Sequence, residues 1–153
     1  MIPQRILVAT DGSPAAKAAE ALAADLAGLM SQSRGVEVVV ATVVRNVGDV
    51  MGGGSITKPT DMEEAGRISQ AGAGHIRDLL SEAPPRASVK VEAKVLNAPD
   101  PGEGIVIEAH AAGTCSIIVM GTRTRRGVKE AVLGSVSQHV VREAHCPVMI
   151  ARE

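Results

Sequence analysis

The sequence predicts an α/β fold: an open, five-stranded parallel sheet in the order 3-2-1-4-5, sandwiched by four helices. Three observations carry this reading. Five strand-like apolar runs alternate with four segments of helical period along 153 residues, the pattern of repeated β-α units. Four of the runs are apolar almost throughout, as strands covered on both faces must be. The remaining run alternates Val89, Val91, Ala93 and Val95 with Lys90, Glu92 and Lys94, so one of its faces is wet and it belongs at an edge. With right-handed crossovers and the third strand at an edge, 3-2-1-4-5 is the simplest order.

Each element has a local reason. Residues 5–10 form a short apolar run from Arg5 to Thr10. Ser13 and Pro14 then open a helix, Ser13 as N-cap and Pro14 at the first helical position, where a missing N–H costs nothing. Ala18, Leu22, Leu26 and Leu29 recur at helical spacing on one face. Residues 36–44, beyond Gly35, read as a buried strand. A long loop follows over residues 48–58, with Gly52, Gly53 and Gly54 at its centre. The second helix opens on a capping-box pattern from Thr60 to Glu63, carries Ala65, Ile68, Ile76, Leu79 and Leu80, and ends at Pro84 and Pro85. After the charged third strand come a short helix over residues 102–112 and an apolar strand over residues 116–120. The last helix covers residues 135–144 with Val136, Val140 and Val141 inward, and residues 147–151 supply the last strand.

Composition narrows the function classes. A chain of this length reads as one domain, residues 1–153, able to bury a core without disulfides or metal. Hydrophobic residues make up 45% and the formal net charge is only -1, which argues against disorder and against bulk attraction to nucleic acid. Phe, Tyr and Trp are absent, so a base could not stack on an aromatic platform and aliphatic walls would have to hold it. The N-terminus enters a strand at once and no apolar run approaches the roughly 20 residues of a membrane span. Cys115 and Cys146 lack metal-ligand spacing and fit a reducing compartment, which makes the cytoplasm the expected location.

The functional signal lies where the fourth strand ends. The apolar run breaks at Gly121 into a basic loop holding Arg123, Thr124, Arg125, Arg126 and Gly127, and Gly134 with Ser135 then opens a helix. Helix N-termini present unpaired N–H groups and a positive dipole end, and nearby glycine lets a phosphate approach the backbone. The competing reading is a basic surface turn. Topology favours the site: the strand order reverses between strands 1 and 4, and open α/β sheets bind ligands beyond the carboxyl ends of strands at such a switch point. Those ends are Thr10, Asp11 and Gly121.

Here the chain resembles the universal stress protein family. Residues 8–13 match the family's first strand and turn, Ile118 to Gly121 its fourth strand, Leu133 to Val136 its loop-to-helix junction, and His145 to Val148 the approach to its last strand. The family's fold is the Rossmann-like sandwich already reached. ATP-binding members carry glycine, two residues, glycine, nine residues, then glycine followed by Ser or Thr. Gly121, Gly134 and Ser135 fill the outer positions, while Thr124 replaces the middle glycine. A β-branched residue costs roughly 1–2 kcal/mol if that position needs positive φ, whereas at ordinary φ its hydroxyl and N–H could meet a phosphate.

The resemblance implies ATP, with or without magnesium, and a set of roles. Asp11 accepts from ribose hydroxyls, Ala9 and Thr10 line the cleft, and Thr42 and Val43 offer backbone groups to the adenine edge. Met120 and Gly121 border the ribose and phosphates; Gly134, Ser135, Val136 and Ser137 donate to the phosphates. Arg123, Arg125 or Arg126 reaches the terminal phosphate, against a base rate that favours solvated loop charge. A Walker A pattern, a metal-spaced His pair and a nucleophile elbow are all missing from the sequence, so a signalling module is expected, with slow ATP hydrolysis or phosphate transfer to Ser135 or Ser137 as the most chemistry it would do. The alternative is a member of the same fold that binds no nucleotide and works through protein contacts. Self-association through the nearly uncharged last strand is expected, giving a homodimer.

Overall fold

The computed structural model describes residues 4–46, 59–83, 88–111, 117–122 and 133–152. Nine elements follow in chain order: β1 (Gln4–Ala9), α1 (Pro14–Met30), β2 (Val36–Arg45), α2 (Pro59–Glu82), β3 (Val89–Ala98), α3 (Pro101–Ala111), β4 (Ile117–Gly121), α4 (Ser135–Glu143) and β5 (Val148–Ala151). The strands form one parallel sheet in the order β3-β2-β1-β4-β5, as the edge argument for the third strand requires. Side chains alternate across it. Ile6, Val8, Val38 and Val40 enter one core with α1 and α2, while Leu7, Val39, Ala41, Ile118 and Met120 enter another with α3 and α4. The absence of aromatic residues is met by a valine-rich sheet and by an alanine-faced helix that lies close against it.

That helix departs from the expected pattern. The inner face of α1 is Ala15, Ala16, Ala19, Ala23, Ala24 and Ala27. The leucines stand at its margins: Leu22 and Leu26 are half-buried and Leu29 is 68% exposed. Close approach to the sheet selects the small residues. The capping of α1 is as expected, with Ser13 Oγ accepting from the Ala16 N–H at 3.2 Å and Pro14 following. Helix α2 begins at Pro59, which places Thr60 within its first turn. In α4, Val140 is fully buried and Val136 packs against the core, but Val141 is 47% exposed, because α4 covers the sheet with a narrow stripe.

The charged face of β3 also differs from expectation. Lys94 Nζ lies 2.9 and 3.0 Å from the two carboxylate oxygens of Glu108 on α3. Glu108 also takes the guanidinium of buried Arg5 at 2.8 Å. The edge strand's charge therefore helps neutralise a buried carboxylate. Three histidines have partners: His75 meets Glu20, and His110 stacks on His145 with ring centroids 4.4 Å apart. The loop over residues 48–58, Pro84, Pro85, Cys115 and the basic loop from Arg123 to Gly127 lie outside the described residues.

Candidate functional site

At the carboxyl ends of β1, β2 and β4 the sheet opens into a cavity of about 380 Å³, within the range of small-molecule sites. Eleven of the residues singled out from sequence line it: Ala9, Thr10 and Asp11 after β1, Thr42 and Val43 on β2, Met120 and Gly121 on β4, and Gly134, Ser135, Val136 and Ser137 at the start of α4. Pro101 and Ile105 of α3 close one side. Arg123 and Thr124 lie outside the described residues. The strand order brings together three chain segments more than thirty positions apart, because β1 sits between β2 and β4.

The β1 end is a tight turn. Thr10 N–H still pairs with Ala41 O at 2.9 Å, and Gly12 then takes φ +76°, a conformation open to glycine at little cost. Asp11 Oδ1 accepts from Ser13 N–H at 3.0 Å, closing the turn at the cavity rim. Asp11 is exposed, and its carboxylate thus shapes the turn as well as facing solvent. On β2, the Thr10–Ala41 bond shows that the backbone groups of Ala41 face β1. By alternation those of Val43 face the same side, beyond the end of β1, while those of Thr42 pair toward β3. The open backbone edge is therefore Val43's. Thr42 instead contributes a buried hydroxyl that has no hydrogen-bond partner among the described residues.

Two glycines have separate reasons. A Cβ on Gly121 would lie 2.5 Å from both the carbonyl carbon and oxygen of Ala15, so the first turn of α1 sits where a side chain would be. Its glycine is required by helix packing. Gly134 has φ −62° and ψ 163°, accessible to any residue, and a Cβ there would meet none of the described residues within 4 Å. Gly134 itself lines the cavity.

Gly134 is also the N-cap of α4, and it offers no side-chain acceptor. The contrast with α1, capped by Ser13, is direct. Gly134 N–H donates to Thr122 Oγ1 at 3.2 Å, and Gln138 N–H begins the helical ladder on Gly134 O at 2.9 Å. The N–H groups of Ser135, Val136 and Ser137 fall in the first turn, where no helical carbonyl can reach them. Ser137 Oγ donates to Gly121 O at 3.3 Å, which ties the start of α4 to the end of β4. Of the four expected donors at this junction, the backbone of Gly134 is thus already engaged. Thr122, buried at 4%, escaped the sequence reading. Its only signal was a hydroxyl directly after the strand-ending glycine.

The result is an anion-receptive helix start facing an aliphatic cleft. A phosphate or carboxylate oxygen at the first turn of α4 would satisfy donors that no described side chain caps. Ala9, Val43, Ile105 and Met120 offer apolar walls to a flat group. Among the described residues, no group of three or more His, Cys, Asp or Glu side chains is placed to hold a metal ion. No described helix is long and apolar enough to cross a membrane.

Comparison with known proteins agrees with this arrangement. The model of the universal stress protein family matches residues 3–152. A universal stress protein of Thermus aquaticus, from the 3′ region of QAH/OAS sulfhydrylase, is 36% identical over 147 residues, covering 96% of this chain and 97% of that protein. Among solved structures, the universal stress protein from Archaeoglobus fulgidus superimposes with a TM-score of 0.74 at 25% identity. The structure of an Archaeoglobus fulgidus universal stress protein in complex with dAMP gives 0.72 at 27%; both cover 99% of each chain. The chain belongs to the universal stress protein family.

Proposed function

We propose that the cavity is an adenine-nucleotide site that takes ATP, and that the protein is a nucleotide-responsive module of stress signalling. The observation that carries this is the start of α4, where a glycine N-cap leaves three N–H donors of the first turn without a side-chain cap among the described residues, at the wall of the cavity. The dAMP complex of the Archaeoglobus fulgidus relative supports an adenine nucleotide as the ligand class. In this reading Ser135, Val136 and Ser137 hold phosphate oxygens and Asp11 accepts from the ribose. Val43 presents its backbone edge to the adenine, with Ala9, Met120 and Ile105 as walls. Arg123 and Thr124 complete the phosphate end from the loop, and magnesium, where it accompanies ATP, rides on the phosphates. The bound nucleotide supplies charge and shape at the mouth of the sheet, and the output is a change of partner.

The same reading places the protein outside fast catalysis. The Ser137 hydroxyl proton is committed to Gly121 O, and Ser135 is exposed. It also includes a homodimer through β5. That edge strand pairs with β4 alone among the described residues, and Val148, Met149 and Ile150 remain half-buried along it. Light scattering should report twice the mass of 15.7 kDa at micromolar concentration; a monomer removes the dimer. The cytoplasm is the compartment that supplies both ATP and the reducing conditions that suit Cys146, which is not in a disulfide.

The deciding experiment is mass spectrometry of ligand released by denaturing freshly purified protein, then titration of the stripped protein with ATP. Recovered adenine nucleotide, or micromolar binding that Gly134→Val abolishes, is the expected result. An empty, folded protein that ignores millimolar ATP overturns the nucleotide reading in favour of function through protein contacts alone.

A further inference from the structure

Glu20 lies on the alanine face of α1 with only 3% of its surface exposed, and it is not among the residues lining the nucleotide cavity. A buried carboxylate is costly unless it is paired. Glu20 has two short contacts: Thr10 Oγ1 donates to Oε1 at 2.7 Å, and His75 Nδ1 on α2 lies 2.7 Å from Oε2. Space for the carboxylate is built in, since a Cβ on Gly72 would lie 2.8 Å from Glu20 Oε1. Together β1, α1 and α2 form one seat for one carboxylate.

Thr10 is where that seat meets the cleft. Alternation along β1 sends Ile6 and Val8 to the α1–α2 side, and Thr10 follows them, so its hydroxyl lies behind the sheet while the residue borders the cavity in front. The hydroxyl has two contacts. Its proton goes to Glu20, and its oxygen accepts from Gly12 N–H at 3.3 Å. Gly12 is the positive-φ residue of the turn that carries Asp11 to the cavity rim. Behind the turn lies a second cavity, of about 540 Å³, bordered by Gly12, Lys17, Glu20 and His75. The turn is therefore a partition with open space on both sides, and packing alone does not hold it.

We propose that Glu20 is a positioning residue: acting through the Thr10 hydroxyl, it sets the Asp11–Gly12 turn and thereby the nucleotide affinity of the cleft on the opposite side of the sheet. The effect on affinity rests on the nucleotide reading above; the effect on the turn does not.

The test combines amide hydrogen exchange with ATP titration of the stripped protein. The variants are Glu20→Ala, Glu20→Gln, Thr10→Val and the Glu20→Ala/Thr10→Val double variant. Glu20→Ala is expected to speed exchange at Gly12 about five- to tenfold while α4 is unchanged, and to weaken ATP by a similar factor, the size of one lost hydrogen bond. Glu20→Gln retains a carbonyl acceptor for Thr10, and its amide N–H can donate to His75 Nδ1 in the other imidazole tautomer, so it should restore both readouts to within about twofold. Adding Glu20→Ala to Thr10→Val should cost nothing further at Gly12, because Glu20 acts there through the hydroxyl that Thr10→Val already removes. Unchanged Gly12 exchange in Glu20→Ala, or additive losses in the double variant, would overturn the proposal. If Glu20→Ala does not fold, Thr10→Val, which removes the same hydroxyl with little change of shape, decides by the same exchange readout. If wild-type protein ignores ATP, the nucleotide reading fails, and Gly12 exchange alone still rules for or against the positioning role.

Discussion

Substituting Gly134 with Asp places a carboxylate at the N-cap of α4, where the proposed nucleotide would bring its phosphate. The backbone accepts the change, because φ −62° and ψ 163° are ordinary for any residue and a Cβ meets none of the described residues within 4 Å. Without ligand, the new side chain caps donors that glycine leaves bare. Over glycine, that is worth a few tenths of a kcal/mol from the cap and about 0.3–1 kcal/mol from the helix dipole. For a chain of this size, each kcal/mol raises the melting temperature by roughly 2–4 °C, so a gain of about 1–4 °C is expected.

With ligand, the carboxylate occupies the donors and repels the phosphate. Two unit charges 4 Å apart interact by about 4 kcal/mol at an effective dielectric of 20, and less where the cleft opens to water. ATP affinity should therefore fall by roughly one to three decades. Gly134→Asn separates shape from charge, since it caps α4 equally but carries no charge. Its affinity loss should be smaller and insensitive to salt, whereas added salt should partly relieve Gly134→Asp. Thermal unfolding of the stripped protein and calorimetric titration at two ionic strengths provide the readouts. A Gly134→Asp protein that melts higher yet binds ATP as wild type would refute the placement of phosphate at α4. One that shows neither effect would refute the description of the helix start itself.

Three further outcomes follow from packing. Gly121→Ala should destabilise by about 1–3 kcal/mol or more in urea unfolding, since its Cβ meets the Ala15 backbone at 2.5 Å; an unchanged midpoint would mean that α1 shifts freely. Glu108→Ala removes the carboxylate 2.8 Å from the buried guanidinium of Arg5, and a loss of about 3 kcal/mol is expected; a loss below about 1 kcal/mol would show that Glu37, at 3.5 Å, and the backbone carbonyl of residue 108, at 3.3 Å, hold Arg5 without it. Thr122→Val removes the acceptor of the Gly134 N–H and should cost about 1 kcal/mol, with chemical-shift change concentrated at residues 134–137; shifts confined to β4 would contradict the link.

Much of the architecture was legible because it depends on local chemistry. Apolar runs of strand length, the Ser13–Pro14 helix start and the alternating charges of β3 each have a short-range cause, and together they yield the observed strand order. Errors arose where a partner in space overrode local pattern. Ala18, Leu22 and Leu26 share a face by helical spacing and pack against the core, but the most buried stripe of α1 is alanine and Leu29 is exposed, because helix and sheet lie close together. Lys94 read as a solvated edge charge because Glu108 and Arg5 were not known to be beside it. The cleft residues were legible as a group, since strand ends at a switch point must converge. Their individual duties were not.

By itself, then, the sequence determined which segments are strands and helices, which strand lies at the edge, and which strand ends meet at the cleft. Those follow from periodicity, capping and turn chemistry, all of which act within a few residues. Only the tertiary structure decided that Gly121 is glycine for the sake of Ala15, that Val43 and not Thr42 presents its backbone edge to the crevice, and that Glu20 is buried behind the cleft between Thr10 and His75. Close approach, register and the pairing of a buried charge are relations between residues far apart in the chain, and they come into being only when the sheet and its two helical layers assemble.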